Sequence, residues 1–433
     1  MKKIIFLFLI FNFFSNCSFN NNSGIWKSKD SPKEKYTFSK NLKDIFPQKV
    51  QLEKEISPKE MINLSLSPLT ENLRWEDPLF NQNNNFNNYY FSNNFKTQKI
   101  GNKITRKTIS KNILFKENKV IFFDNKGRVG AYSLLQNKVT FDFNFYQKKY
   151  KRKKIKLFAT SKDNLIFITD NLGYIYCINL DKEKLVWAKN YKIPFSSNIK
   201  ISNNVILAVN ENNNIMAFNS KNGEKIWNFL TDKNLLQTSF INNLALEGIN
   251  LYALNTNGSL YSINSNTTNL NWIANFKEVI GNQSSNIFMA YPLIISDDKI
   301  LISTDKSISL YNLSNGVEKW QLDVSIKINP IFSKDFIFLI TKNNFLICLN
   351  SNNGTILWSQ DISNLLKKSL VKPNLKKIGN YIDLKIADNK ILIFTDKAKI
   401  IQIDPYTSKV VSLNEISNKL GSKPLRSEEH TSE

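Results

Sequence analysis

Few residues in this chain are of the kinds that carry out chemistry. It has one histidine, His430, and three cysteines, Cys17, Cys177 and Cys348. A Ser–His–Asp set, a zinc site or a phosphate-binding loop needs defined residue types at fixed spacings, and none is present. Cys177 and Cys348 fall in the same slot of a repeat, four units apart. In a closed ring they would lie on nearly opposite sides, too far apart for a disulfide. Both read as small buried apolar residues. Asp170, Asp305 and Asp396 stand where a strand gives way to a turn, a place where Asp usually bonds local backbone N–H groups. No catalytic, metal-binding or cofactor-binding residue emerges, and no cofactor or small-molecule substrate is expected. The informative residues are the tryptophans.

Trp187, Trp227, Trp272, Trp320 and Trp358 each close a unit of similar pattern. Fourteen residues before each lies a turn, at Gly173, Asn213, Gly258, Lys306 and Asn344. Four residues before comes a second turn, as at Asn222-Gly223, Asn315-Gly316 and Asn353-Gly354. Asn-Gly supplies the positive φ of a tight hairpin. Ten residues before is a mostly small slot: Cys177, Ala217, Ser262, Leu310 and Cys348. Two weaker copies, Gly127 to Phe141 and Ala398 to Ser412, add the slots Ala131 and Gln402. A period of this length is the mark of a repeat architecture. Each unit holds short β-branched runs bounded by Asn and Gly, with a further strand in front, which excludes helical repeats. Four strands per unit suit the blade of a β-propeller. The expected units are 108–144, 155–191, 199–231, 237–276, 289–323, 327–362 and 380–414. The fold expected is all-β: an eight-bladed propeller with seven recognisable blades and an incomplete last one. Lys423-Pro424-Leu425 reads as the first strand of that eighth blade, and Phe95–Ile100 as a lone strand that would help to close the ring and remove its edges. The tryptophans are assigned to blade packing.

The formal net charge is +23, from 59 Lys and Arg against 36 Asp and Glu. Such a charge can signal nucleic acid, anionic lipid or an acidic partner. Here it is spread along a Lys-, Asn- and Ile-rich chain, as biased codon use would give. Lys148–Lys156 and the insert Leu365–Lys377 read as solvated linkers, with an acidic partner or lipid as the alternative. At the N-terminus Lys2 and Lys3 precede an apolar core, Ile4 to Phe14, too short to span a bilayer comfortably. The core ends at Cys17 and resembles a bacterial lipoprotein signal, although Phe14 and Asn16 depart from its usual residues. The resemblance implies acylation of Cys17, each buried CH₂ contributing about 0.8 kcal/mol to membrane attachment. The expected organisation is a signal peptide at 1–17, a flexible tether at 18–73, a propeller at 74–425 and a non-native tail at 426–433. The Asn-rich stretch Asn81–Asn94 is expected to lie as an ordered loop on the propeller. A secreted chain has no expected contact with nucleic acid.

The pattern of an apolar strand followed by G-x-[LI]-x-A-[LIF]-N-x-x-x-G-x-x-x-W is best seen in Ile215-Met216-Ala217-Phe218-Asn219 with Gly223 and Trp227. It resembles the quinoprotein-type, PQQ-like repeat. Together with the lipoprotein signal and tether, the chain from about 64 to 425 resembles the BamB family of outer-membrane assembly lipoproteins. Leu64–Asn94, with Trp75, looks like the lead-in segment of alphaproteobacterial members. The resemblance implies a non-catalytic scaffold at the periplasmic face of the outer membrane, within the barrel-assembly (BAM) complex. Its partner would be a BamA-like subunit, met through periplasmic repeats. The family often carries Leu-x-Leu-Arg after the third blade's Trp. Here Leu235 and Leu236 stand in that region as candidate partner contacts, but the Arg is missing. The corresponding acidic stretch before the fifth blade reads Ser285–Met289, without an acid. The alternative is a PQQ-type quinoprotein dehydrogenase, whose vicinal Cys pair and metal-binding acids have no counterpart here.

Overall fold

The computed structural model describes residues 53–59, 65–71, 74–86, 88–90, 109–146, 150, 153–233, 240–276, 288–369 and 373–416, which belong to one compact unit. Seven antiparallel sheets follow one another along the chain, at 109–144, 157–190, 200–229, 243–275, 294–323, 331–361 and 381–415. They are called sheets one to seven below. Six have four strands in sequence order, and the seventh gains two short N-terminal strands. The expected units match these sheets to within a few residues at each end, except that the first strands of sheets four to six begin later.

The repeat spacings have a direct structural meaning. The slot and the residue ten positions later are cross-strand partners on the third and fourth strands of every sheet. The pairs are Ala131 with Phe141, Cys177 with Trp187, Ala217 with Trp227, Ser262 with Trp272, Leu310 with Trp320, Cys348 with Trp358, and Gln402 with Ser412. Each is followed by a register shift. The residue four before the Trp position has positive φ in all seven sheets: Asn137, Glu183, Gly223, Thr268, Gly316, Gly354 and Ser408. Where the sequence lacks Asn-Gly, the chain accepts the left-handed conformation at a costlier residue, because the hairpin requires it.

First strands of successive sheets adjoin in five of the six neighbouring pairs, and each neighbouring pair of sheets encloses its own apolar cluster. Sheets one and two share Leu114, Ile121, Ile166 and Tyr176, for example, and sheets six and seven share Phe338, Trp358, Ile391 and Ile401. The stack is therefore a series of six apolar interfaces among the described sheets. Both segments expected to build an eighth blade, Phe95–Ile100 and Lys423–Leu425, lie outside the described residues.

The described parts of the expected tether, 53–59 and 65–71, are packed on the sheets, which differs from a free linker. Leu66 is buried in the interface of sheets six and seven, and Leu69–Thr70 pairs parallel with Asn88–Tyr89, which pairs with Ala387 of sheet seven.

Candidate partner-binding surfaces and the axial segment

Each ladder Trp reaches forward to the next sheet. The indole Nε1 of Trp187 donates to Ser220 O at 3.0 Å, Trp227 to Ser265 O at 3.2 Å and Trp272 to Leu313 O at 3.2 Å. Trp320 donates to Ser351 O at 3.0 Å and Trp358 to Pro405 O at 2.8 Å. Every acceptor sits in the last hairpin of the following sheet. The ring also lies on that hairpin: a Cβ added to Gly223 would stand 2.4 Å from the Trp187 ring. Gly is thus required at 223 twice, by its φ of 73° and by the indole. The Trp repeat is a clasp between neighbours, with an apolar body and a satisfied N–H.

Asp170 behaves as a turn residue. Its Oδ1 accepts from the backbone of Leu172 and Tyr174, both at 2.8 Å, and Tyr146 donates its hydroxyl to Oδ2. Asn210 and Asn255 make the same two backbone bonds in sheets three and four. Burial pushes the Asp170 carboxyl above the usual range, and the Tyr146 phenol upward as well. Asp305 and Asp396 differ from that expectation: Asp305 pairs with Lys342, and Asp396 accepts from Asn380. Cys177 and Cys348 are buried free thiols, as their slot suggested, and burial pushes the Cys177 thiol to about 12. No group of three or more His, Cys, Asp or Glu is placed to hold a metal among the described residues.

A polar constellation that the repeat pattern does not signal runs along the segment before sheet one. Residues 65–90 touch the first strand, or the turn after it, of all seven sheets. Trp75 exchanges two backbone bonds with Phe115 of sheet one. Glu76 O accepts from Ser161 N at 2.8 Å in sheet two. Asp77 forms a buried ion pair with Lys200 of sheet three at 2.7 Å, and Lys200 Nζ also donates to Asn81 O at 2.6 Å. The Asn84 amide donates to Leu244 O and Leu293 O, both at 3.0 Å, bridging sheets four and five. Ser67 N donates to Ser333 Oγ in sheet six, and Tyr89 O accepts from Asp388 N in sheet seven. The segment carries its own small core. Trp75 and Phe80 meet edge to face at 4.9 Å, and Phe86 and Tyr89 pack beside them. It therefore covers one end of the axis around which the first strands are arranged. The Asn-rich stretch begins within this segment, and the described part of it lies on the sheets as expected.

Lys200 is fully buried and its ammonium is lowered by desolvation, with Asp77 acting in the opposite direction. Glu76 is raised chiefly by burial, against the nearby Lys116 and Arg74. A Lys in the alternating run Ile199-Lys200-Ile201 was the available signal, since a charge on the inner strand of a blade needs a buried partner.

The turns after the second strand, and the connections between sheets, lie at the other end of the blades. A small cleft of about 140 Å³ opens there between sheets six and seven, lined by Lys327, Asn344, Ser363 and Tyr381 among others. Leu235 and Leu236 fall in a connection outside the described residues, as does Cys17. The connection's described flank, Asp232-Lys233, is held by the Asn213 and Asn257 amides at this end. Ser285–Ile287 is also outside the described residues.

The family model described as "Outer membrane protein assembly factor BamB" matches residues 125–360, more than half of the chain. The chain belongs to the BamB family. The match runs from the turn after the second strand of sheet one to the last strand of sheet six, so most of the clasp hairpins lie within it. Curated relatives are distant. The outer membrane protein assembly factor BamB of Moranella endobia is 20% identical over 258 residues, 57% of this chain and 66% of that protein. That of Yersinia pestis is 20% identical over 218 residues, 50% of this chain and 55% of its own length. The chain thus matches less than two thirds of the length of either relative. The crystal structure of BamB from Moraxella catarrhalis superposes with a TM-score of 0.56 at 11% identity, covering 71% of this chain and 88% of that one. At that identity the likeness establishes a shared β-propeller fold.

Proposed function

We propose that this protein is a non-catalytic scaffold in the assembly of outer-membrane β-barrels, anchored through Cys17 and docking a BamA-like subunit by its connection-face loops. The carrying observation is the axial segment. The axis is the place to which every sheet of a propeller contributes, and so the natural seat for a central ligand. Here one end of it is covered by the chain's own residues 65–90, held by a buried ion pair and by bonds to each of the seven described sheets. Among the described residues, those around it are Asn amides, backbone groups, the Lys200–Asp77 ion pair and Glu76 beside Lys116, groups that tie the segment to the sheets. Family membership adds the assembly role as the context. The full ring in this reading has eight blades, the seven described sheets and one more. Leu235 and Leu236, in the connection between sheets three and four, are the contacts this reading assigns to the partner.

The test is an affinity pull-down of the full chain from Gram-negative membranes, with mass spectrometry of the co-purifying proteins. Recovery of the central barrel-assembly subunit, lost on Leu235→Asp/Leu236→Asp substitution, supports the reading. Recovery of respiratory quinone enzymes in its place would overturn it. Cys17→Ser is expected to release the protein from the membrane fraction.

A further inference from the structure

The fourth strand of each sheet is its outer edge, whose outward backbone groups no further strand of the same sheet pairs among the described residues, and natural proteins usually guard such edges. In this protein the guarding is uneven. The outer strands Lys138–Asn144, Lys184–Asn190, Lys225–Phe229, Glu318–Asp323, Ile356–Asp361 and Val410–Glu415 each carry at least one charged residue. That of sheet four, Leu270–Asn275, reads LNWIAN and carries none, in a chain of net charge +23. Its Leu270 and Ile273 side chains are 43% and 47% exposed. Asn271 turns inward to Ser262 and Asn250.

The chain itself shows how such an edge is used. On sheet six, Ile56 lies antiparallel to Ser359: Ile56 N donates to Ser359 O at 2.7 Å, and Ser359 N to Ile56 O at 3.0 Å. Charged contacts flank the pair, Glu55 with Lys368 and Asn364 and Glu53 with Asn343. Ser359 follows the Trp of its sheet, paired inward with Ile347. Ile273 follows the Trp of sheet four, paired inward with Tyr261 in the same register. The shared register turns the N–H and C=O of Ile273 outward, as it does those of Ser359. Sheet six thus has a charged strap whose Glu55 meets Lys368, while the matching strand on sheet four has an apolar surface and no charge of its own.

We propose that the outer edge of sheet four, Leu270–Asn275, is a docking edge for an extended, uncharged segment of another polypeptide with alternating apolar residues, added antiparallel through the backbone of Ile273. Main-chain bonds would supply the affinity and Leu270 and Ile273 the preference for apolar side chains. Charged segments are disfavoured, because a charge on the added strand would be desolvated with no counter-charge facing it on this edge. The assignment does not depend on which complex holds the protein, and it concerns a different surface from the connection-face loops.

The experiment uses the full chain and a fluorescent, capped nine-residue peptide alternating valine with threonine and glutamine. Binding is followed by anisotropy. The expected result is saturable binding that falls at least tenfold with Ile273→Lys and stays within twofold with Gln321→Lys. Gln321 holds the same register on the charged, exposed edge of sheet five. Thermal melts confirm that both variants are folded. A peptide N-methylated at its centre, which cannot complete the backbone pairing, is expected not to bind. No binding to the wild type would overturn the proposal. So would equal binding of the methylated peptide, which means unspecific apolar adsorption, or equal loss in both Lys variants, which means a general charge effect. A concentration-dependent dimer of the wild type that Ile273→Lys abolishes would place a second copy of this chain on the edge, and would overturn the assignment to a foreign strand. A failed pull-down with intact peptide binding leaves this edge standing and removes only the assembly role.

Discussion

At the scale of single residues, the repeat is a rule about who touches whom, and its exceptions are informative. Trp358 is fully buried, whereas Trp187, Trp227, Trp272 and Trp320 are partly exposed. All five donate to the next hairpin, so they differ in the apolar area removed from water and hardly in hydrogen bonding. Trp358→Ala should therefore cost about 3–5 kcal/mol, and Trp227→Ala distinctly less, by urea unfolding of the two variants side by side. Asp170 gives a test with a sign. Its folded carboxyl is raised, chiefly by burial, so the native state holds its proton more tightly than the unfolded chain does. Stability linked to this group is then greatest at low pH and falls as pH rises from the unfolded value of about 3.9 towards the raised folded one. Asn does the same backbone work at the matching positions of sheets three and four. Asp170→Asn should keep the fold, and its stability relative to the wild type should improve as pH rises through that window. Paired melts from pH 4 to 8 would show it. A variant that loses ground as pH rises would mean that the carboxylate is favoured in the folded state.

At the scale of elements, the hairpins and the axial segment were unequally legible in the sequence. A hairpin advertises itself, because a left-handed residue, a small slot and a Trp recur at fixed offsets and all act within about fourteen residues. The sheet limits were readable for that reason. The first strands of sheets four to six begin later than expected, because Phe240, Tyr291 and Ile328 are apolar without being in their sheets. The axial segment has no period. Its bonds run over sequence separations of 123 residues for Asp77 to Lys200 and 209 for Asn84 to Leu293, which no local pattern encodes. Its Asn content reads as loop, and the part from 65 to 71 reads as tether, since polar composition alone cannot distinguish a free linker from one bonded by its backbone. Asp77 is where that hidden role is testable. Asp77→Ala leaves a fully buried ammonium without its counter-charge, and should cost about 3–5 kcal/mol. The defect should shrink towards pH 10, because a lysine whose folded value is lowered binds fewer protons than the unfolded chain, and stability then rises with pH. The double variant Asp77→Ala/Lys200→Met should recover much of the loss in the same urea titrations. A defect that is independent of pH would assign the cost to lost packing instead of the stranded charge.

At the scale of the whole molecule, a stack of repeats behaves as a sum of units and nearest-neighbour interfaces, and it can fray from either end. Six apolar interfaces join sheet one to sheet seven through their neighbours. Among the described residues, what joins sheet seven to sheet one is residues 65–90, which pair with Ala387 at one end and Phe115 in the middle. This makes the segment a closure device, and closure should show as cooperativity more than as local stability. The intact chain is expected to unfold in one transition whose steepness reflects the surface of all seven sheets. Removal of 65–90 should leave five of the six interfaces in place and take only Leu66 and Phe86 from that of sheets six and seven, while lowering the denaturant slope and broadening the transition. Amide exchange should then accelerate first in sheets one and seven and least in sheet four, because opening would start at the two released ends. Exchange that accelerates evenly in all sheets would mean that the segment stabilises each blade separately, and that the ring closes by other contacts.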